Sequence, residues 1–190
     1  CRTIYLCKFL ILYMRQLVAK IILFLVILFL VDTALGICFQ TLVDSAKGGE
    51  TRRVNYICKQ TSEDLLIFGS SRALHHYDPL LLEDSLQMSC YNCGKDGNGI
   101  ILLYGWFKMI QQRYHPQMIV YDVMPNFDLW KGDNMAYLPG LRYYYGEPAV
   151  DSIFWSVDKN ERFKMMVQSY RFNSQFLQIM MDNIKTLRKN

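Results

Sequence analysis

The chain has 190 residues, 52% of them hydrophobic and 14% aromatic, and a formal net charge of +4. That length holds about one domain plus a short extra segment, and the apolar content excludes a disordered tail. The small positive charge is spread out, with no Lys/Arg run or basic stripe, which argues against a nucleic-acid-binding surface.

A mean hydropathy near zero averages two unlike regions. The apolar one is IILFLVILFL, residues 21–30, extended by Val31 and, past Asp32 and Thr33, by Ala34 to Phe39. Counted through Asp32 and Thr33, the segment reaches the roughly 20 residues that a membrane helix requires. Arg15 and Lys20 on its N-terminal flank predict that this end stays in the cytoplasm and the remainder lies outside. The reading is a single-pass signal anchor over 14–39. The competing one is a signal peptide cleaved near the small residues Ala34 and Gly36, which would yield a secreted protein. Met14 opens a complete signal by itself, MRQLVAKIILFLVILFLV, so 1–13 read as upstream sequence outside the native protein; the alternative is a longer native N-terminus, which Arg2 and Lys8 would also permit. Ile37 before Cys38 does not suit a lipoprotein signal.

Residues 40–61 are polar, with Lys47-Gly48-Gly49 and Arg52-Arg53, and read as a stalk or linker. The domain is expected over 62–190. Asp64 to Phe68 is a short apolar run ending at Gly69, as in a strand covered on both faces of a parallel sheet. Pro79 to Met88 has helical spacing, and Ser89 to Tyr91 is a second strand leading into a glycine-rich loop over 92–99. Ile100 to Tyr114 predicts an amphipathic helix with Leu102, Leu103, Trp106, Met109 and Ile110 on one face, stopped by His115-Pro116. Met118 to Val123 is the third strand. Strands alternating with helices define an α/β fold with a parallel sheet. Beyond Pro125 the chain turns aromatic and loop-like. Asp151 to Leu187 then reads as helical, broken near Asn173-Ser174, with Phe163, Met166, Val167 and Tyr170 on one apolar face.

Of the six cysteines, Cys58, Cys90 and Cys93 fall in the outer domain, where an oxidising compartment would permit a disulfide. Cys90 and Cys93 form a C-x-x-C without a second pair or a nearby His, so a structural or free-thiol role fits better than zinc. Ser156-Val157-Asp158-Lys159 matches a Ser-x-x-Lys pattern without its companion motifs, and Ser156 reads as a helix cap. Tyr137 to Tyr145 could line a carbohydrate cleft or pack as a lid.

The segment with most chemical content is Ile67-Phe68-Gly69-Ser70-Ser71-Arg72. A glycine after a buried strand permits a tight turn, and the following Ser then sits at the carboxyl end of the sheet, where open α/β sheets hold ligands. A helix beginning there aims free N–H groups at the same point, so a nucleophile and its oxyanion donors can share the location. The same residues could simply cap a helix.

FGSSRALHHYDP followed by YNCGKDGNGI resembles the membrane-anchored, Ser-Ser-containing branch of the SGNH or GDSL hydrolases, over about Asp64 to Asp128. The resemblance implies a flavodoxin-like three-layer α/β/α sandwich. It places Ser71 in the nucleophile slot of Gly-x-Ser and Gly97 in the oxyanion position of Asn-x-x-x-x-Gly, counted from Asn92. Asn126, after the third strand, stands for the third oxyanion donor, although the family's glycine is missing there and the spacing is one residue off. Arg72 would bind an anionic substrate or pair with Asp78 or Asp96. No metal or organic cofactor is implied.

The family's Asp-x-x-His block is absent, since no His here has an Asp three positions before it. His75 and His76 read as solvated or loop-packing residues, and His115 lies at the opposite end of the third strand. The expected function is an extracytoplasmic serine esterase or acyltransferase acting on an acylated glycan or cell-envelope polymer, present as a fragment without its acid and base. The alternative is a non-catalytic envelope protein that keeps the sheet for binding or assembly.

Overall fold

A computed structural model describes residues 2–129 and 138–187, with side chains left undescribed at 2–11, 126–127 and 185–187. The first helix, α1 (Arg2–Asp44), is continuous. Leu12 to Val31 is exposed along its whole length, whereas from Asp32 onward the helix packs on the rest of the protein. The Asp32 carboxylate accepts from the Gln168 N–H (2.7 Å), the Ser169 N–H (3.0 Å) and the Ser169 hydroxyl (2.5 Å). Phe39 stacks on Phe172, and Val43 is fully buried. One side of residues 32–39, counted above toward the span, therefore lies against the domain, while Leu35 and Ile37 stay exposed.

Residues 40–61 differ from the expected stalk. They complete α1 and form α2 (Gly49–Lys59), whose Val54, Ile57 and Cys58 enter the main core. The polar composition hid a narrow apolar stripe flanked by charged residues. Gly48 caps α2 without a side-chain hydrogen bond, and Asp182 takes over that work: its carboxylate accepts from the Thr51 N–H and hydroxyl, at 2.9 and 2.8 Å. A carboxylate is well placed there, because free N–H groups and the helix dipole both favour negative charge.

The sheet has three parallel strands in the order β2-β1-β3: β1 (Leu65–Gly69), β2 (Cys90–Asn92) and β3 (Met118–Asp122). Leu65 pairs with Cys90 on one side and Met118 on the other. Every residue of β1 is buried, as its unbroken apolar run requires. Side chains alternate between faces. Leu65 and Ile67 join Ala73, Cys90, Tyr77, Leu82 and Val120 beneath α3 (Ser71–His76) and α4 (Pro79–Leu86). Leu66 and Phe68 join the larger core with Trp106 and Ile110 of α5 (Ile100–Gln111) and with α2. Helices thus cover both faces.

Local chemistry accounts for the boundaries. Asp78 caps α4 through the Leu80 N–H at 3.0 Å, with Pro79 at the first helical position, where its missing N–H costs nothing. Arg113, just past α5, donates to the carbonyls of Cys58 and Thr61 and ties the helix end to α2.

Beyond β3 the chain is helical in short pieces: α6 (Pro125–Asp128), α7 (Pro139–Arg142), α8 (Pro148–Val157), α9 (Glu161–Lys164), a 3₁₀ turn (Ser169–Phe172) and α10 (Phe176–Leu187). The expected helix over 151–187 is thus interrupted before Glu161 and after Lys164 as well as near Asn173-Ser174. Its predicted apolar face is also divided: Tyr170 packs against the core, whereas Phe163, Met166 and Val167 are exposed. Tyr143 and Tyr144 are buried, their rings 4.6 Å apart, and the Tyr144 hydroxyl donates to Asn55. They pack the core; Tyr137 lies outside the described residues.

Candidate active site

The carboxyl rim of the sheet is shaped by the turn after β1. Gly69 has φ +148°, and a Cβ there would lie 2.7 Å from the Ala73 Cβ and 3.0 Å from both the Cβ and the carbonyl oxygen of Asp122. Only glycine allows the strand to turn into α3 this tightly. Ser70 is the N-cap of α3 and is 4% exposed, with a hydroxyl that has no hydrogen-bond partner among the described residues. Ser71 is the first helical residue and half-buried. The two serines thus differ: one is sealed under the turn and the other stands at its open edge, on the first N–H groups of the helix.

The second loop is fastened to the first. The Lys95 N–H donates to the Gly69 carbonyl at 3.0 Å, and the Cys93 N–H to the Ile67 carbonyl at 2.7 Å. The Asn92 side chain donates to the carbonyls of Ala73 and Tyr77 and accepts from the Gly94 N–H. One buried amide therefore joins β2, α3 and the loop. His75 Nε2 lies 2.9 Å from Asp96 Oδ1, a second tie between α3 and this loop, both side chains being largely exposed. Gly97 takes φ +64° with nothing within 4 Å of a would-be Cβ. The glycine meets a backbone requirement there, on an open surface.

Residues of the expected stalk brace this loop from outside. Arg53 donates to the carbonyls of Asn92 and Gly94, both at 2.8 Å, and Lys95 pairs with Glu50 at 2.7 Å. Sequence reasoning missed both. The signal was present in basic and acidic residues one turn apart on α2, read as solvation instead of reach.

Arg72 also departs from expectation. It pairs with Asp122 at the end of β3 and donates to the Val123 carbonyl at 2.9 Å, not with Asp78 or Asp96. This pair, between residues 50 apart in the chain, clamps the start of α3 to the third strand. Asn126 lies in α6 after β3, and its side chain is outside the described residues. Ser156 is exposed and donates to the Ile153 carbonyl, so it lies within α8 and does not cap it.

Beside the second loop opens a cavity of about 320 Å³. Lys95, Asp96 and Asn98 form one wall, Glu50 and Thr51 another, and Ser174, Gln175 and Gln178 at the start of α10 a third. Trp106 and Tyr143 line it as well, and the buried indole N–H of Trp106 has no partner among the described residues.

Cys58, Cys90 and Cys93 are buried free thiols. Burial pushes the Cys58 thiol up to about 12 and raises Cys93 further, so neither forms a thiolate nucleophile near neutral pH. Among the described residues no group of three His, Cys, Asp or Glu side chains is arranged to hold a metal ion.

Fold and site together define a mixed α/β protein with a three-stranded parallel sheet and one long apolar N-terminal helix. No family model matches the chain, and no curated protein or solved structure shows significant similarity to it.

Proposed function

We propose that the protein is a membrane-anchored, extracytoplasmic serine esterase or acyltransferase of the SGNH type, acting on an acylated glycan or cell-envelope polymer. In this reading Ser71 Oγ attacks the acyl carbonyl to form an acyl-serine. The backbone N–H groups of Ser71 and Gly97 hold the developing oxyanion, with Asn126 as the third donor. Water or an acceptor hydroxyl then takes the acyl group. A serine hydroxyl needs a base to remove its proton; His75 is engaged with Asp96, and we place the base and its orienting acid in an Asp-x-x-His segment outside these 190 residues. The three-layer sandwich would be completed by strands added along β3, whose Met118 and Ile119 are exposed.

The observation that carries the reading is the union of two βα turns at one rim, through the Lys95-to-Gly69 hydrogen bond beside the open Ser71. Support for the anchor comes from α1, the one helix among the described residues long and apolar enough to cross a membrane. Arg15 and Lys20 favour a cytoplasmic N-terminus.

The test is active-site labelling of the intact protein in membranes with a fluorophosphonate. Adduct formation at Ser71, lost in Ser71→Ala, is the expected result. Labelling that survives Ser71→Ala removes Ser71 as nucleophile. No labelling at any serine favours the binding or assembly alternative.

A further inference from the structure

The charge-free stretch of the anchor helix is short for a membrane span. Between Lys20 and Asp32 the charge-free stretch is Ile21 to Val31, 11 residues, or about 16 Å of helix against a hydrocarbon core of about 30 Å. Lys20 can snorkel toward the cytoplasmic surface. Yet even Gln16 to Val31 is 16 residues, about 24 Å. Leu12 to Val31, the fully exposed part of α1, is 20 residues, about 30 Å with Arg15 and Lys20 directed to the cytoplasmic side, so the outer edge of the hydrocarbon falls at about Asp32, where α1 is already packed on the domain.

What surrounds Asp32 suits that position. Its carboxylate is satisfied by two backbone N–H groups and a hydroxyl, so much of its desolvation cost is already met by the protein. The residues just before those donors, Met166 and Val167, are 74% and 50% exposed, and Phe163 is 68% exposed. On α10, which packs on α1, Leu177 is exposed too. A groove of about 470 Å³ beside α1 is lined by Phe39, Val167, Tyr170, Phe172 and Phe176. Side chains this large and this exposed mark an interaction surface. Arg162 lies 5.4 Å over the half-exposed Trp155 ring, the kind of pair found at the headgroup level.

We infer that this collar, with Phe163, Met166, Val167 and Leu177 as its lipid-facing side chains, is embedded in the outer leaflet of the membrane that α1 spans. The occupant is the bilayer itself, because the collar adjoins α1: Phe39 of α1 lines one groove with Val167 and Phe176, and Leu35 and Ile37 of α1 are exposed as well. The inference rests on reading α1 as a membrane span. It also deepens the proposed function: Ser174, Gln175 and Gln178 line the cavity beside Gly97, and they lie next to or within the collar helix α10. The candidate site is thereby held close to the membrane surface, within reach of a polymer or lipid-linked acyl donor at the headgroups.

The test is tryptophan quenching of the intact protein in vesicles of dibrominated phosphatidylcholine, compared with unbrominated vesicles. Trp130→Phe and Trp155→Phe leave Trp106, which is fully buried, as a background shielded from lipid. Into this background go M166W, F163W and, within the span, L25W. All three positions are exposed, so each accepts the indole. Brominated lipid is expected to reduce the emission of all three, with L25W losing most. Quenching of L25W with none at M166W and F163W overturns the collar while leaving the anchor intact. Failure to quench L25W removes the membrane span, and the inference with it.

Discussion

Replacing Gly69 with alanine tests whether the rim is built as described. The new Cβ would stand 2.7 Å from the Ala73 Cβ and 3.0 Å from the Asp122 carbonyl oxygen, both attached to backbone that cannot rotate away. Holding alanine at φ +148° costs about 1–3 kcal/mol. The overpacking adds about 1–3 kcal/mol more. The sum, about 2–6 kcal/mol, corresponds to a fall in Tm of roughly 5–20 °C for a protein of this size. Gly97→Ala is the matched comparison: nothing lies within 4 Å of its Cβ, so only the left-handed backbone is strained, by about 1–2 kcal/mol. Thermal unfolding of both variants by near-UV circular dichroism separates the two cases. A Gly69→Ala protein melting within about 2 °C of wild type, or one more stable than Gly97→Ala, would refute the steric reasoning and the turn geometry beneath it.

Asp122→Asn removes the charge that clamps Arg72 beside Ser71. Because Arg72 is half exposed, the stability change should stay below about 1 kcal/mol, while fluorophosphonate labelling of Ser71 slows about tenfold, equivalent to ~1.4 kcal/mol of barrier; an unchanged rate argues against a positioning role. Ser70→Ala deletes a buried hydroxyl that has no partner and should leave stability unchanged or raise it by up to about 1 kcal/mol, with labelling retained. A loss of labelling there would move the nucleophile to Ser70. Burial by itself would raise the Glu161 carboxyl, but hydrogen bonds from Lys164, Tyr170 and Arg142 outweigh it and hold it below its usual value. A lowered folded pKa supplies stability that is fully present above the unfolded value of about 4.3 and lost as pH falls through the folded one. Tm measured from pH 6 to 3 should therefore fall less steeply in Glu161→Gln than in wild type; parallel curves would contradict this.

How much of this was legible in the sequence depended on the range of the interactions involved. The three strands, α4 and α5 were readable because each is a local pattern: an apolar run closed by glycine, helical spacing after Pro79, a 3.6-residue stripe closed by His-Pro. The Gly69 turn and the glycine-rich loop over 92–99 were readable for the same reason. Missed features depend on partners far away in the chain. Nothing near Arg72 announces Asp122, nothing near Asp32 announces Ser169, and Asp182 caps a helix 131 residues before it. The α2 stripe was concealed because Arg52 and Arg53 dominate its composition, yet Arg53 is used to hold the Gly94 carbonyl. Phe163, Met166, Val167 and Tyr170 read as one apolar face, yet only Tyr170 packs on the core; periodicity reports that a face is apolar, not what covers it.

The central claim is that Ser71 and Gly97 can serve one acyl carbonyl, the Ser71 hydroxyl attacking its carbon while the Ser71 and Gly97 amides hold its oxygen. A crystal structure of the intact protein with a phosphonate on Ser71 tests it most directly. The account predicts the phosphoryl oxygen within hydrogen-bonding distance, about 2.7–3.1 Å, of the Ser71 and Gly97 nitrogens. An adduct on Ser71 whose oxygen faces solvent, with the Gly97 N–H turned away, would contradict it.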